Sequence, residues 1–542
     1  MLSLAVRNTR KLIREKSRTE NVRIGRSFTK KPTAALMASF LEIPQGTERV
    51  RILDPGAGTG ILSAAAVEAA CRAGAKEIQL VCYETEGEFL PMLRNNLERI
   101  RKKCRHDYGC KLIATVKEEN YVTAQRDYFT PSMLSLGMPE FDYVIANPPS
   151  LRCDKKSPEA LSCAGLCVDE TDLAYLFAVM GMLNLAPGGR MVVLLPVLYA
   201  SAHYLDRVRH YLLENGNLLR IHLFRRAGEG AANLKKNMIL VFSKKEAVQA
   251  PEEETPATET DEEATTQTVP EAVAETATED AGEAPAEEAA PVYEGEIALS
   301  CSVDDGETTE ELPAQPAGRI IRPDGSLLLL RSQYDFDMIR CMARMPQTLS
   351  GLGLRMRTGL TLESRYPDQL RDAPEQGAVP LITPACMDDG FIRFPVPGRA
   401  HQYLIPRIPS LVQRNKNMLL LKRVPAKYDR RRLVCAVYLA SQQAHYRGIS
   451  TSNKLNYIDY PDKREMDSQL LHGLYAVLSC DLYSDYCRML SHTAQINATD
   501  LADLPLPDEQ TLRSIGSKLL MTRQFSPKVC TTLVYAALHI AQ

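Results

Sequence analysis

Short apolar runs alternate with helical patterns of apolar and polar residues along residues 21–246. Runs of this length, bounded by turn residues, are typical of buried strands, and most are separated by stretches with helical spacing. Alternation of strand and helix predicts an α/β fold with a doubly wound, mostly parallel sheet. The predicted strands are Arg51–Leu53, Ile78–Tyr83, Leu112–Val116, Tyr143–Ala146, Met191–Leu195, Leu218–Leu223 and Met238–Phe242.

Three further segments flank this predicted α/β domain. Residues 1–20 are basic and partly amphipathic, which predicts a leading helix of the folded protein, with a transit peptide as the alternative. Residues 247–317 are rich in Glu, Thr, Ala and Pro and have few large apolar residues, so we expect a disordered linker. Residues 318–542 begin with strand-like pieces and end in helical patterns, which predicts a second, α+β domain.

The net charge of −2 averages two unlike parts. Residues 251–290 hold 14 acidic residues and no Lys or Arg, whereas residues 319–542 hold 29 basic and 20 acidic residues. A basic body suits a protein that binds a polyanion, because phosphate contacts supply most non-specific affinity for nucleic acid. A solvated surface of mixed charge is the alternative.

Several classes of protein are disfavoured by composition. No apolar run approaches the roughly 18–20 residues that a membrane span needs, so we expect no membrane partner. The 14 cysteines are scattered, with no CxxC pair and no histidine spacing suited to zinc. We therefore expect no metal site and a cytoplasmic, reducing location.

A glycine-rich turn follows the first predicted strand in the run Asp54-Pro-Gly-Ala-Gly-Thr-Gly60. Glycine lets the backbone turn sharply and approach a ligand closely. The run lacks the GxGxxG spacing of dinucleotide-binding loops and the lysine of a P-loop. Glu84 follows the next strand, where acidic residues accept from ribose hydroxyls in nucleoside-binding sheets. Together these features predict a site for S-adenosylmethionine (SAM), while a solvated strand-end charge is the alternative for Glu84.

A second motif, Asn147-Pro148-Pro149, follows the predicted strand Tyr143–Ala146. Two prolines hold the backbone rigidly and leave carbonyl groups without internal partners. The Asn147 oxygen and the Pro148 carbonyl can hold both hydrogens of an exocyclic amine and favour a tetrahedral nitrogen, which attacks the sulfonium methyl in line. This mechanism needs neither a metal nor a covalent nucleophile. In isolation, the motif could equally be the end of a strand.

The order Gly25-Arg-Ser-Phe-Thr29, DPGAGTG and Asn-Pro-Pro resembles that of amino-methylating DNA methyltransferases whose target-recognition domain follows the catalytic domain. In detail the chain resembles the BsuBI/PstI-type adenine-specific methyltransferases of restriction–modification systems. The resemblance covers nearly all of the chain except the acidic segment. It is also carried by the runs Asp172-Leu-Ala-Tyr-Leu-Phe177, Ala186-Pro-Gly-Gly-Arg190, Ile221-His-Leu-Phe224, Arg430-Arg-Arg-Leu-Val-Cys-Ala-Val-Tyr438, Ser452-Asn-Lys-Leu-Asn-Tyr-Ile458 and Ala494-Gln-Ile-Asn-Ala-Thr-Asp-Leu501.

The resemblance implies a cofactor site made by four groups of residues. Glu84 would hold the ribose, and Asn120 and Tyr121 would contact the adenine of SAM, where the family usually has Asp-Phe. Phe28 and Thr29 would line the site. The residues around the methionine moiety would be Asp54, Gly56, Gly58 and Gly60.

The implied target-base site is Asn147, Pro148, Pro149 and Ser150. Ser150 departs from the family pattern, which has an aromatic residue at this position. Pro196-Val-Leu-Tyr-Ala also lacks the Ser-Phe-x-Asn-Gly pattern of the family. The departures cluster on the target-base side, so the implied cofactor half is the better supported.

In the second domain, basic and amide side chains are the candidates for contact with double-stranded DNA. Basic side chains suit phosphate contact, and amides can read adenine edges, although buried networks and solvated faces use the same residue types. The candidates are Arg365, Arg430, Arg431, Arg432, Asn453, Asn456, Gln495 and Asn497. Arg355 and Arg357, which flank Thr358-Gly359, are further candidates for phosphate contact.

The sequence therefore predicts a SAM-dependent DNA adenine N6-methyltransferase that flips its target base. The motifs begin about 25 residues from Met1, so we expect no fused nuclease, and a separate cognate endonuclease or an orphan role stays open. Two alternatives remain. One is methylation of RNA or of a protein glutamine, and the other is a DNA-binding relative that has lost catalysis, which Ser150 favours.

Overall fold

The computed structural model describes residues 1–14, 28–129, 138–163, 165–167, 171–225, 234–246, 293–425, 431–490 and 503–540, together with Asp429, Ile496 and Leu501. Its N-terminal part is built on a nine-stranded sheet in the order β11-β10-β8-β9-β7-β4-β1-β2-β3, and β5 and β6 form a separate pair. The strands are β1 Arg49–Asp54, β2 Glu77–Tyr83, β3 Lys111–Lys117, β4 Phe141–Ala146, β5 Arg152–Cys153, β6 Thr171–Asp172, β7 Leu185–Pro196, β8 Gly216–Arg225, β9 Leu234–Lys244, β10 Glu296–Ser302 and β11 Glu310–Pro316.

Strands β3, β2, β1, β4 and β7 are parallel neighbours, and β9 and β11 run antiparallel to their partners. The direction of winding reverses between β1 and β4, because β2 and β3 lie on one side of β1 and β4 and β7 lie on the other. The predicted α/β fold with a doubly wound, mostly parallel sheet is confirmed. Ligands of such sheets bind beyond the carboxyl ends of the strands at the reversal point.

Helices cover both faces of this sheet because each apolar face must be buried. One face packs against the helices Leu2–Arg14, Lys31–Ser39, Ile61–Arg72 and Leu90–Tyr108. The opposite face and the sheet margin are covered by shorter elements, which are the helices Tyr121–Ala124, Arg126–Phe129, Pro158–Ser162, Leu173–Leu183, Asp206–Asn215, Ala317–Ile320 and Gln333–Met342 and the single turns Val197–Ala200 and His203–Leu205.

The predicted linker at 247–317 is wrong at its C-terminal end, because β10 and β11 extend the catalytic sheet. Ile297, Leu299 and Cys301 alternate along β10, and all three are buried. Between them, Ser300 and Ser302 contact the two ring nitrogens of the buried His222 on β8, at 2.9 and 3.0 Å. Burial lowers the pKa of His222 to about 3, so the ring is neutral. Residues 247–292, the rest of the predicted linker, lie outside the described residues.

The C-terminal part contains two small sheets and four longer helices, in agreement with the predicted α+β domain. One sheet has the order β12-β22-β19-β20-β16-β15, and the other has the order β13-β17-β14-β21-β18. The strands are β12 Arg355–Thr358, β13 Leu370–Arg371, β14 Val379–Ile382, β15 Met387–Asp388, β16 Phe391–Ile392, β17 Tyr403–Leu404, β18 Gln413–Arg414, β19 Met418–Lys422, β20 Cys435–Tyr438, β21 Gly448–Thr451 and β22 Leu455–Asp459.

The helices of this part are Ser468–Ser479, Asp481–Leu490, Glu509–Thr522 and Pro527–Ala537, and five single turns lie between the strands: Glu363–Arg365, Pro367–Gln369, Pro384–Cys386, Pro409–Leu411 and Ala440–Gln443. Gly473 and Gly516 lie where two of these helices cross, and a Cβ atom on either would collide with the backbone of the other helix. One apolar core continues from the nine-stranded sheet into these helices.

We predict that deleting residues 251–290 leaves the fold intact. The chain must pass only from Lys244 across β8 to Glu296, a distance of about 10 Å at the usual strand spacing. The eleven residues left in this connection can span ~36 Å. We expect a change of less than about 1 kcal/mol in the free energy of unfolding, because loop-closure entropy varies slowly with length.

The matched deletion of residues 251–316 removes β10 and β11 as well. It uncovers the buried edge of β8, and the loss of two large apolar side chains alone costs about 3–6 kcal/mol. Chemical denaturation of both variants is the measurement. Equal stability of the two deletions would contradict the assignment of β10 to the sheet.

Candidate active site

Three candidate site residues follow the carboxyl ends of neighbouring parallel strands. Asp54 is the last residue of β1, Glu84 directly follows β2, and Asn147 directly follows β4. Because β1 lies between β2 and β4, all three residues lie at one edge of the sheet, beside the reversal point. The two motifs that the sequence places almost ninety residues apart therefore meet in one site.

The glycine turn after β1 has contacts that restrict its residues. Gly58 and Gly60 have φ values of +55° and +82°, which L-residues rarely adopt. A Cβ atom on Gly60 would lie 2.9 Å from Leu93 Cδ1. On Gly56 it would lie 3.4 Å from Phe177 Cε1 and 3.9 Å from Pro149 Cδ. The turn thus lies next to the second proline of the Asn-Pro-Pro motif, and only a small space separates the two.

The N-terminal helix supports the same turn from the other side. The Thr9 hydroxyl contacts the Thr59 hydroxyl at 2.6 Å. Asn96 bridges the two elements, since its Nδ2 donates to the Thr59 carbonyl at 2.8 Å and its Oδ1 accepts from Asn8 at 2.7 Å. The sequence indicated a leading helix but not this contact, which depends on residues far apart in the chain.

Asp54 is completely buried, and one of its oxygens lacks a partner. Oδ2 accepts a hydrogen bond from Ser63 Oγ at 2.5 Å. Oδ1 has no hydrogen-bond partner among the described residues. Burial raises the pKa of Asp54 to about 7, against the opposing effect of the Ser63 hydrogen bonds. A buried, unpartnered carboxylate oxygen beside a glycine turn is suited to a positively charged ligand group.

Glu84 accepts hydrogen bonds from two backbone N–H groups. Oε2 accepts from Gly58 at 2.7 Å, and Oε1 accepts from Glu86 at 2.8 Å. Burial raises the pKa of Glu84 despite these bonds. The carboxylate therefore ties the end of β2 to the glycine turn and is still partly exposed at the site.

Phe28 lies beside the glycine turn, and Thr29 contacts Asn147. The Phe28 ring packs edge-on against Phe89 with a centroid distance of 5.2 Å, and it lies next to Gly58. The Thr29 hydroxyl accepts a hydrogen bond from Asn147 Nδ2 at 2.9 Å. In this arrangement the amide nitrogen of Asn147 is the donor to Thr29, whose hydroxyl can act as either partner. The sequence assigned Thr29 to the cofactor and missed its contact with Asn147.

Asn120 and Tyr121 are placed differently from the expected adenine contacts. Asn120 Oδ1 caps the helix Tyr121–Ala124 by accepting from Val122 N at 3.0 Å, and its Nδ2 donates to Glu159 Oε1 at 2.9 Å. Tyr121 is 1% exposed, and its hydroxyl donates to Asn184 Oδ1 at 2.7 Å. In the structure Asn120 is thus a helix cap, and Tyr121 is a buried core residue.

Ser150 is exposed and anchored to the N-cap of the helix Leu173–Leu183. Its Oγ donates to Asp172 Oδ2 at 2.6 Å. Asp172 in turn caps the helix Leu173–Leu183, because its Oδ1 accepts from Ala174 N at 3.0 Å. The sequence missed this role of Asp172, although an Asp directly before an apolar helical run is a recognisable N-cap signal.

Tyr204 is an aromatic residue near this anchor, and sequence reasoning also missed it. It is 39% exposed. Its hydroxyl interacts with Tyr175, and its pKa is raised by burial and by the nearby Asp172 carboxylate. Tyr204 therefore presents an aromatic ring beside the segment that contains Ser150.

Most candidate DNA contacts that the structure describes are held by the protein itself. Asn456 is completely buried: its Oδ1 accepts from Thr358 at 2.8 Å and its Nδ2 donates to the Ile496 carbonyl at 2.9 Å. This places it in a structural network rather than in base readout. Arg431 pairs with Asp481 at 2.8 Å, and the backbone N–H of Arg432 donates to Ser484.

The other amide in the same run, Asn453, donates its backbone N–H to the Thr361 carbonyl at 2.9 Å. Its Oδ1 is buried and has no hydrogen-bond partner among the described residues. Arg365 is exposed. Arg430, Gln495 and Asn497 lie outside the described residues.

Within the described part of the chain, no cluster of three or more His, Cys, Asp or Glu side chains could hold a metal ion. The described helices include none that is both long and apolar enough to cross a membrane.

Comparison with known proteins gives two relatives along almost the whole length. The chain is 24% identical to the type II methyltransferase M.PstI of Providencia stuartii over 506 residues, which cover 92% of this chain and 89% of that protein. It is 21% identical to the type II methyltransferase M.BsuBI of Bacillus subtilis over 502 residues, which cover 91% and 89%. The chain is a relative of the BsuBI/PstI-type methyltransferases.

No family model matches the chain. Among solved structures, this BsuBI/PstI-type relative resembles the type IIL restriction–modification enzyme MmeI in complex with DNA, with a TM-score of 0.45 and 11% identity over 94% of this chain and 72% of that one. A similarity at this level carries no argument for individual residues or partners. The residue assignments therefore depend on the geometry described above.

Proposed function

We propose that this BsuBI/PstI-type relative is a SAM-dependent DNA methyltransferase that acts on adenine N6 and forms the modification part of a restriction–modification system. One observation supports the proposal: the glycine turn after β1 lies next to the Asn-Pro-Pro motif after β4, and Glu84 links the turn to the end of β2. The two type II relatives support the same reaction class.

The residues at the strand ends fit SAM. Asp54 Oδ1 is buried and unpartnered among the described residues, which suits the positive charge of the methionine part. Glu84 is partly exposed and suits ribose hydroxyls. Its two carboxylate oxygens would then accept from SAM as well as from two backbone N–H groups. The turn at Gly56 leaves room that a side chain would fill, next to Pro149. When bound, SAM supplies an electrophilic methyl group.

Asn147 is the residue that would act on the target amine. An exocyclic amine is a poor nucleophile while its lone pair is delocalised into the ring. Hydrogen bonds accepted by the Asn147 oxygen and the Pro148 carbonyl would localise the lone pair and aim it at the methyl group. Thr29 would be a positioning residue, because it holds the other end of the Asn147 amide.

Double-stranded DNA is the proposed substrate because residues 319–542 carry a positive surplus, with 29 basic and 20 acidic residues. A base inside a duplex cannot reach a strand-end site, so the target adenine must be flipped out. A separate cognate endonuclease and a cytoplasmic location remain parts of this proposal.

A second candidate is a DNA-binding relative with lost or weakened catalysis, which Ser150 favours. Ser150 is exposed where an aromatic residue would stack on the flipped base, and it is engaged with Asp172. Tyr199 and Phe224 do not replace that face, because they are 0% and 5% exposed. The half-exposed Tyr204 is better placed to do so.

The first prediction concerns the pH dependence of SAM binding. The pKa of Asp54 in the free protein is about 7, so its carboxyl group is mostly neutral at pH 6 and mostly ionised at pH 8. If the ionised form binds the cationic ligand, affinity should fall by about tenfold between pH 8 and pH 6.

Calorimetry across this range is the measurement, with Asp54→Asn as the control. The variant keeps the shape of the side chain but cannot ionise. Any pH dependence of SAM affinity that it retains is therefore due to ionisation of SAM or of Glu84. Identical pH profiles for the two proteins would contradict the role of Asp54.

The second prediction concerns Asn147 and Thr29. Asn147→Ala should reduce methylation by at least ~100-fold, as loss of a preorganised catalytic hydrogen bond does, with SAM affinity almost unchanged. Thr29→Val should reduce it by about tenfold, because one positioning hydrogen bond is lost. Thr29→Ser keeps the hydroxyl and should retain the wild-type rate.

Single-turnover transfer of labelled methyl groups to DNA measures both effects. Wild-type activity in Asn147→Ala would remove the proposed mechanism. An equal loss in Thr29→Ser and Thr29→Val would show that Thr29 acts through packing rather than through its hydroxyl.

The third prediction concerns Ser150. Ser150→Tyr should raise the single-turnover rate by roughly 10–100-fold, because base–aromatic stacking contributes about 1–3 kcal/mol. Ser150→Ala is the control, because it also loses the bond to Asp172 but adds no ring. Tyr204→Leu should slow the wild-type enzyme if Tyr204 supplies the face instead. If no variant methylates DNA that the protein binds, the second candidate function is the better one.

A further inference from the structure

A cationic pocket of about 360 Å³ lies in the C-terminal part, between β12, β18 and the segment after β22. We call it the Asp459 pocket. Its lining contains five cationic side chains, of which Arg414 and Lys463 are exposed, and two carboxylates. The charged lining residues are Arg355, Arg357, Arg414, Lys416, Lys463, Asp459 and Asp462.

A single buried carboxylate organises the floor of this pocket. Asp459 is 1% exposed, and its Oδ2 lies 2.7 Å from Lys416 Nζ. Its Oδ1 lies 3.3 Å from Arg355 Nε, and its Oδ2 lies 3.6 Å from Arg357 Nη2. One negative charge cannot neutralise three cations, so the floor keeps a positive surplus.

Arg357 has hydrogen-bonding capacity that the protein does not use. Its guanidinium carbon lies 5.2 Å from the centroid of the Tyr457 ring, a cation–π contact that restrains the side chain. Its Nε is buried and has no hydrogen-bond partner within the described parts of the chain. The distance of 3.6 Å to Asp459 is too long for a strong hydrogen bond. Arg357 therefore presents a preorganised planar set of donors at the pocket.

The buried Asn456 network holds this arrangement in place. Thr358, directly after Arg357 on β12, donates to Asn456 on β22. Asn456 is also anchored to the Ile496 carbonyl. The amide that sequence reasoning assigned to base readout thus stabilises the edge strand that carries the arginines.

The rim of the pocket carries an apolar side chain, which favours a phosphate of a DNA strand over a free inorganic anion. Leu360 lines the pocket and is 61% exposed. A free inorganic anion would gain nothing from this side chain. The sugar faces that flank a phosphate in a DNA strand offer apolar surface to it.

We propose that the Asp459 pocket binds a backbone phosphate of DNA, chiefly through Arg357 and Arg355, with Arg414 and Lys463 at its mouth. This inference deepens the proposed function and rests on it. The contact is independent of sequence, so it would set affinity and register on the duplex rather than select the site.

The test is the salt dependence of binding to a fluorescent duplex of random sequence, measured by anisotropy. Each lost phosphate contact should reduce the slope of log K against log salt by about 0.9. We expect this reduction for Arg357→Ala, with roughly 3- to 10-fold weaker binding at low salt. SAM affinity should be unchanged, because the pocket is separate from the strand-end site.

Two further variants keep the test decisive. The double variant Arg414→Ala/Lys463→Ala changes only exposed side chains, so it reports on the pocket even if Arg357→Ala fails to fold. Arg393→Ala is the matched control: it removes one exposed arginine, paired with Asp388, at the opposite edge of the same sheet. Its salt slope should equal that of the wild type.

The outcomes separate this inference from the proposed function. Unchanged slopes in both pocket variants, with wild-type DNA binding intact, would overturn the inference alone. A second outcome would also overturn the inference. Calorimetry would show that the wild type binds inorganic phosphate and that Arg357→Ala does not, while the salt slope of DNA binding is unchanged. The pocket would then be a site for a free anion. If the wild-type protein binds no DNA at any salt concentration, the proposed function fails and the inference fails with it.

Discussion

The parallel alignment of β2, β1 and β4 is the constraint on which the site depends. Parallel neighbours end at the same edge of a sheet, so Asp54, Glu84 and Asn147 meet although they are far apart in sequence. The glycine turn lies next to Pro149, so the cofactor side and the target side of the proposed site are adjacent. Catalysis by positioning requires this rigidity, because it has no covalent intermediate to hold the reactants.

The parts of the fold that have a local signature could be predicted from the sequence. Three local patterns identified β1, β2 and β4 and their order. They are the periodicity of the strands, the glycine run and the Asn-Pro-Pro motif at the end of a strand. Strand β10 could not be predicted in this way, because the strongly acidic composition before it masked the alternation of Ile297, Leu299 and Cys301. Its pairing with β8 and the contacts of His222 with two serines are long-range facts that no local pattern contains.

Side-chain roles were harder to predict than elements, because one residue type serves several purposes. Asn120 and Asn456 have the donors and acceptors needed to contact a nucleobase, yet one caps a helix and the other is buried in a network. Arg431 is paired within the protein, whereas Arg357 keeps unused donors beside Asp459. Burial and partner geometry separate these cases, and both depend on the assembled fold.

The central claim is that this strand-end site transfers a methyl group from SAM to adenine N6 in DNA. Its most direct test is to incubate the full-length protein with isotopically labelled SAM and a mixed-sequence duplex, and then to identify the labelled nucleoside by mass spectrometry. The account predicts that the label is in N6-methyldeoxyadenosine and increases with time. Label in a methylated cytosine, or label found only in RNA or protein glutamine offered in parallel, would contradict it.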